Sequence, residues 1–238
     1  MKRAALYFRD NSVAESERYS LIKKQRGVTL LEIIIVLGII GVIAAGVVVL
    51  AQRAFTAQDI SDIQNNTNSI RTSMNEAFQD EGEYPAATTT AVTLKKSDLA
   101  TSDDLAPIVT LNKLGKISSS ESINGVSGDV YQIGQALVDS SSTVHKGFVV
   151  LVSGLDQQTC RNLLSQMGNQ WDYVGIINAP AGEDESATLN GTALDAAKTA
   201  GSVLRSLSID EDITSTDIVD EATCNMGGAN NGIVFGSK

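Results

Sequence analysis

Histidine, cysteine and proline are scarce in this 238-residue chain, which holds one, two and three of them. One histidine and two cysteines cannot furnish the four Cys or His ligands of a closed zinc site within one chain. No P-loop, GxSxG or HExxH pattern occurs, so these signatures of phosphate-cradling loops, serine hydrolases and zinc peptidases are missing. Positive charge is also short. Eighteen Lys and Arg stand against 28 Asp and Glu, a net charge of −10, which runs against nucleic-acid binding because phosphate contacts need clustered cations. The acidic runs Glu183-Asp184-Glu185 and Asp210-Glu211-Asp212 lack the spaced ligands of an EF-hand loop and read as solvated faces. Trp171 reads as a partly buried core residue with its N–H satisfied. The expectation is a non-enzyme with no catalytic residue, no metal and no cofactor.

What the chain does have is unevenly placed. Residues 1–27 carry seven basic and three acidic groups, a net +4, and the remainder carries 11 basic and 25 acidic, a net −14. From Ile33 to Ala51 run 19 residues without a charged, amide or hydroxyl side chain. At about 1.5 Å per residue such a helix spans roughly 28 Å, near the thickness of a bilayer core. Lys23, Lys24 and Arg26 precede the run, which predicts a cytoplasmic N-terminus and an acidic remainder across the membrane. The run is longer than a secretory h-region, and Gln52-Arg53-Ala54-Phe55 after it offers no A-x-A-like cleavage site. The small residue, Gly27, lies before the run instead. Glu32 follows five positions later, where a carboxylate costs about 2.5–3.5 kcal/mol at a helix centre and less near the interface. It is either a functional acid or an interfacial side chain that snorkels to water.

Beyond the apolar run, Ile60, Ile63, Thr67, Ile70, Met74 and Ala77 or Phe78 recur at spacings of three and four. This predicts one amphipathic helix continuing to about Asp80, stopped by Gly82 and Pro85. Residues 28–80 would then form a rod of roughly 75–80 Å whose second half needs a sheet to cover its stripe. Residues 86–100 read as an exposed connection. Ser102-Asp103-Asp104 reads as the cap of a short helix reaching Leu114. Ser118–Gly128 reads as loop. Val130–Val138, Gly147–Val152, Trp171–Ile177 and Gly232–Phe235 read as strands. A helix is expected from Gly154-Leu155-Asp156 to Gly168, carrying Cys160, and another from Thr192 to Leu207. The strands do not alternate regularly with helices, so the fold class is α+β with an antiparallel sheet. Across the membrane, Cys160 and Cys224 can form and keep a disulfide; the alternative is a free thiol paired with His145.

Lys23-Lys24-Gln25-Arg26-Gly27-Val28-Thr29-Leu30-Leu31-Glu32 followed by IIIVLGIIGVIAAG resembles the processing site and N-terminal helix of type IV pilins. The long leader, Val after Gly27 and a helix without proline are similar to the type IVb subclass: the toxin-coregulated, bundle-forming, colonization-factor and longus-type pilins of enteric bacteria. Without that proline, any kink must come from Gly38, Gly41 or Gly46. The resemblance implies a leader (1–27) removed by a prepilin peptidase, with cleavage between Gly27 and Val28 and N-methylation of Val28. It implies a membrane and filament-core helix (28–51), an amphipathic half (52–82) and a globular head (83–238) with a disulfide-bounded region at 160–224. It further implies that Glu32 guides assembly and that the chain is the major subunit of a helical homopolymer. Such a subunit rests in the inner membrane of a Gram-negative cell until inner-membrane assembly machinery moves it to a surface pilus. The pilus would serve adhesion, colonization and aggregation, with a host surface or secreted colonization factors as further partners. Two rivals remain: a minor pilin or type II secretion pseudopilin, and a signal-anchored periplasmic enzyme.

Overall fold

The structure is a computed structural model describing residues 28–209 and 211–238. Helix α1 spans Leu30–Phe78 and contributes to two compact units that divide at Gln52 and Arg53. In the first unit every described side chain up to Leu50 is exposed, and Gly38, Gly41 and Gly46 all lie within the helix. None of the three glycines melts it.

The second unit is built on a sheet. Its helices and strands are α2 (Pro107–Lys113), β1 (Gln132–Ala136), β2 (Gly147–Leu155), α3 (Gln157–Met167), β3 (Tyr173–Asn178), α4 (Ser186–Asn190), β4 (Val203–Arg205), α5 (Ser215–Val219) and β5 (Asn231–Ser237). The sheet order is β1-β2-β5-β3-β4, with every neighbouring pair antiparallel. The α+β expectation therefore holds, and the last strand of the chain is central. Strand β5 is buried along its whole length between β2 and β3.

The amphipathic part of α1 buries Ile60, Ile63, Thr67, Ile70, Ser73, Met74 and Phe78. This is the expected stripe, with Ser73 added and Ala77 at its half-buried margin. The stripe joins one core with Ile133, Phe148, Val150, Leu163, Trp171 and Phe235. A second core holds Ala136, Val149, Leu151, Tyr173, Leu189, Leu194 and Val234. Period-two alternation along β2 and β5 divides the side chains between the two cores. Because both faces are covered, these strands read as continuous apolar runs.

Several local expectations are corrected. No helix forms over 192–207. Leu137 N–H donates to Thr192 O, Leu194 N–H donates to Leu137 O, and Leu194 is fully buried in the second core. Gly201 has φ +71° and packs tightly on Ala222, a geometry no helix accommodates. Burial and pairing thus outweigh the apolar spacing. The 86–100 connection is not simply exposed: Ala87, Ala91 and Leu99 are buried. The Ser102-Asp103-Asp104 cap is not used. Helix α2 begins at Pro107 without a side-chain cap, and Asp104 Oδ1 instead accepts from Ala106 N (2.7 Å) and Thr88 Oγ1 (2.8 Å). Leu155 belongs to β2, and Asp156 caps α3 by accepting from Thr159 N at 2.7 Å. Trp171 lies before β3 and is 1% exposed, and its indole N–H has no hydrogen-bond partner. Helix α1 ends at Phe78, two residues before Asp80.

Candidate assembly helix and disulfide-bounded region

The N-terminal site residues sit at the head of α1. Val28 is exposed, and the Thr29 hydroxyl accepts from Glu32 N at 3.3 Å, satisfying one of the orphan donors of the first turn. Glu32 lies in that first turn, where a carboxylate also suits the helix macrodipole. Gly27 and the rest of 1–27 lie outside the described residues. From Leu30 to Leu50 the helix presents apolar side chains on all sides, with a mean hydropathy of 3.2 over its most apolar 18 residues and none of that window buried. It is long and apolar enough to cross a membrane. Around Gly38 the side chains of Ile35, Ile39, Val42 and Ile43 bound a shallow furrow of about 430 Å³.

The two cysteines lie in the second unit. Cys160 on α3 and Cys224, six residues before the Asn230-Asn231 entry to β5, form a disulfide with Cα atoms 6.0 Å apart, and both are fully buried. Cys224 has φ +58° in the left-handed region, where a side chain is rarely found. The turn carrying it is pinned from α3. Arg161 Nη2 donates to Asp220 O (3.0 Å) and Thr223 O (3.3 Å), and Thr223 Oγ1 donates to Asp217 O (2.8 Å). Helix α5 starts with a reciprocal Thr214/Asp217 capping box. The Thr214 backbone N–H and hydroxyl, aided by Lys198 at 3.1 Å, hold the Asp217 carboxyl below its usual range. With both sulfurs bonded, the Cys–His alternative falls. His145 is elsewhere: its carbonyl accepts from Tyr84 N (3.0 Å), and its Nδ1 lies 3.9 Å from Glu83 Oε1.

Of the acidic runs, Glu183 and Asp184 are exposed, while Gln132 bonds the backbone of Glu183 and Glu185. Asp212 pairs with Arg205, Glu211 is exposed, and Asp210 lies outside the described residues. Among the described residues no group of three or more His, Cys, Asp or Glu is placed to hold a metal.

Two organising side chains are missed by sequence reasoning. Arg71 on α1 donates from Nε to Ser237 Oγ (3.0 Å) and from Nη1 to Gln170 O (2.7 Å), and its guanidinium lies 5.0 Å from the Trp171 ring centroid. It ties α1 to both the end of β5 and the turn before β3. The one sequence signal is that it stands alone as a cation between Arg53 and Lys95. Asn231 is fully buried, donates to Leu155 O (3.0 Å) and accepts from Met226 N (3.0 Å), which seats the segment after Cys224 against the end of β2. An Asn-Gly pair at a strand start is not by itself distinguishable from a turn.

Comparison with known proteins agrees with both regions. Residues 22–48 match the prokaryotic N-terminal methylation motif, and residues 110–236 match the toxin-coregulated pilus subunit TcpA family. A toxin coregulated pilin of Vibrio cholerae is 34% identical over 218 residues, covering 90% of each chain. The toxin coregulated pilin of Vibrio cholerae serotype O1 is 36% identical over 152 residues, which is 64% of this chain and 62% of that one. The crystal structure of TcpA, a type IV pilin from the Vibrio cholerae El Tor biotype, superposes with a TM-score of 0.58 at 23% identity. That match covers 76% of this chain and 99% of that one, and it speaks to the fold. A methylation motif at the head of an apolar helix, a family match across the disulfide-bounded head and a relative aligned over nine-tenths of both chains converge: this chain belongs to the toxin-coregulated pilin family of type IV pilins.

Proposed function

We propose that the chain is the prepilin of a major pilus subunit, which polymerises through α1 and displays the disulfide-bonded head on a surface filament. The observation that carries this reading is the apolar surface of Leu30–Leu50, exposed on every side. Each Leu, Ile or Val side chain left in water forgoes about 1.5–3 kcal/mol, so this segment requires lipid or other copies of itself around it. Transfer from bilayer to filament exchanges one apolar surrounding for another. Repeated heterologous contacts that do not close generate a helical fibre.

In this reading residues 1–27 are a leader. A prepilin peptidase cuts between Gly27 and Val28 and the new Val28 amine is methylated; Gly27, without a side chain, lets the peptidase approach the backbone. The cationic amine and the Glu32 carboxylate would each be costly alone in an apolar core, and pairing between neighbouring subunits offsets that cost and fixes the depth of insertion. Residues 28–51 are the membrane and filament-core helix, 52–82 its amphipathic half and 83–238 the head. The subunit waits in the inner membrane with its N-terminus cytoplasmic, is taken up by assembly machinery there, and serves adhesion and aggregation once outside. Its role is structural rather than catalytic. The test is N-terminal mass analysis of protein sheared from the cell surface. The expected species starts at N-methylated Val28 and is the most abundant subunit; a species retaining residues 1–27, or one present only as a trace component, refutes the reading.

A further inference from the structure

The one histidine of the chain lies where two segments of the second unit meet. The turn after α1 runs against the connection between β1 and β2. Tyr84 N–H donates to His145 O (3.0 Å), and His145 N–H donates to Glu83 Oε1 (3.4 Å). Tyr84 is anchored behind them. Its ring lies 5.0 Å from that of Phe148, and its hydroxyl donates to Asn75 Oδ1 (3.0 Å). These backbone bonds hold the two segments together whatever the state of the imidazole.

The imidazole itself is left incomplete. Its Nδ1 atom is buried and, among the described residues, has no hydrogen-bond partner. Glu83 Oε1 stands 3.9 Å away, beyond the reach of an N–H···O bond at about 2.7–3.2 Å. Neither neutral tautomer mends this. With the proton on Nε2, the Nδ1 lone pair faces another acceptor; with the proton on Nδ1, the donor stops short of the carboxylate. A buried polar atom left so is costly. The protonated ring is different, because Nδ1–H then carries charge toward a carboxylate. The Glu83 side chain is 49% exposed, so it is free to close by about 1 Å into a charge-assisted bond.

The other titratable groups around this meeting point come from four places. The turn after α1 brings Glu81, Glu83 and Tyr84, Lys146 follows His145, and Lys238 follows β5; these five line one cavity of about 290 Å³. On the β1–β2 connection, the Ser141 hydroxyl and N–H hold the Asp139 carboxyl below its usual range. Asp195 accepts there from Ser140 N (3.0 Å) and Oγ (2.9 Å). Burial raises the Tyr84 hydroxyl, which keeps it neutral. The two lysines oppose a charged imidazole and the two glutamates favour it, but the one ion pair His145 makes among the described residues is with Glu83. We propose that His145 and Glu83 form a proton-operated latch between the turn after α1 and the β1–β2 connection, closed when the imidazole is charged. An imidazole ordinarily changes charge between about pH 5 and 8. The latch therefore adds stability in mild acid and loses it as pH rises, a sense opposite to that of ionised carboxylates held by hydrogen bonds.

The test is amide hydrogen exchange of the mature full-length pilin in micelles of a zwitterionic detergent, read by NMR at Tyr84 N–H, the donor to His145 O. Protection factors, corrected for the intrinsic exchange rate, are compared at about pH 5.5 and about pH 7.5, on either side of ordinary imidazole titration. In the wild type, Tyr84 protection is expected to be about threefold higher at the lower pH, the size of a partly exposed ion pair. His145→Gln keeps a polar side chain and both backbone bonds but takes no proton, and Glu83→Gln removes the carboxylate charge. Each is expected to show equal Tyr84 protection at the two pH values. The Phe235 amide in central strand β5 reports on opening of the whole sheet, and strong protection there establishes that each protein folds. Equal Tyr84 protection at both pH values in the wild type overturns the proposal. So does a pH difference that survives in either variant, or one that Phe235 shares, since the whole head rather than the latch would then be responding.

Discussion

Removing the Cys160–Cys224 bond is the perturbation whose size follows most directly from the structure. The sequence separation is 64 residues. The loop-entropy relation gives about 4 kcal/mol of stabilisation for a loop of that length, exerted through the unfolded chain. Both sulfurs are fully buried, so replacing both cysteines by alanine leaves small voids that cost about 1 kcal/mol more. One term has the opposite sign. Cys224 sits at φ +58°, and a left-handed residue other than glycine costs about 1 kcal/mol. The pair Cys160→Ala/Cys224→Gly should therefore be about 1 kcal/mol more stable than Cys160→Ala/Cys224→Ala. The assay is urea unfolding of the full-length pilin in micelles, followed by fluorescence of Trp171, the one tryptophan and a buried one. The double-alanine variant should lose about 4–5 kcal/mol and unfold with a steeper denaturant slope, because its unfolded chain exposes more surface. A loss below about 1 kcal/mol with unchanged slope refutes the unfolded-state argument. Labelling of two thiols in the native, unreduced protein refutes the bond itself.

Three further outcomes are expected. Glu32→Gln should leave membrane insertion and cleavage at Gly27 intact while sharply reducing filaments; co-expressed wild-type and variant subunits entering mixed filaments in proportion to abundance would defeat the register role. Arg71→Met should lower head stability by about 2 kcal/mol in the same urea assay, through loss of two hydrogen bonds and the contact with the Trp171 ring; no change would mean the guanidinium ties nothing. Asp217, whose carboxyl is held below its usual range by its bonds to Thr214, favours folding wherever it is ionised. That contribution is complete above its unfolded value of about 3.9 and disappears as pH falls through the lower folded value. Thermal midpoints should therefore fall less steeply below about pH 4 in Asp217→Asn than in the wild type. Parallel curves count against this.

The site of the N-terminal chemistry was legible because it is written in consecutive residues. Lys23 to Glu32 and the apolar run need no tertiary partner to be recognised, and the periodicity from Ile60 to Phe78 states which face of α1 is buried. Strands β1, β2, β3 and β5 were legible as apolar runs between turns, although their order was not, and β4 fell inside the helix expected at 192–207. The helix expected at 192–207 failed because Leu194 and Ala197 are spaced as on a helix, but Leu194 gains more from the second core and from pairing with Leu137 than the segment gains from helical bonds.

Local sequence thus determined the apolar helix, its flanking charges, its first-turn acid and the amphipathic stripe, because short-range spacing fixes what one helix can expose or bury. Tertiary structure alone decided that β5 takes the centre of the sheet, that Arg71 lies over Trp171, and that Cys224 adopts a left-handed turn opposite Cys160. Each of these depends on groups tens of residues apart meeting in one packed interior, where burial outweighs local preference and no period in the sequence records the meeting.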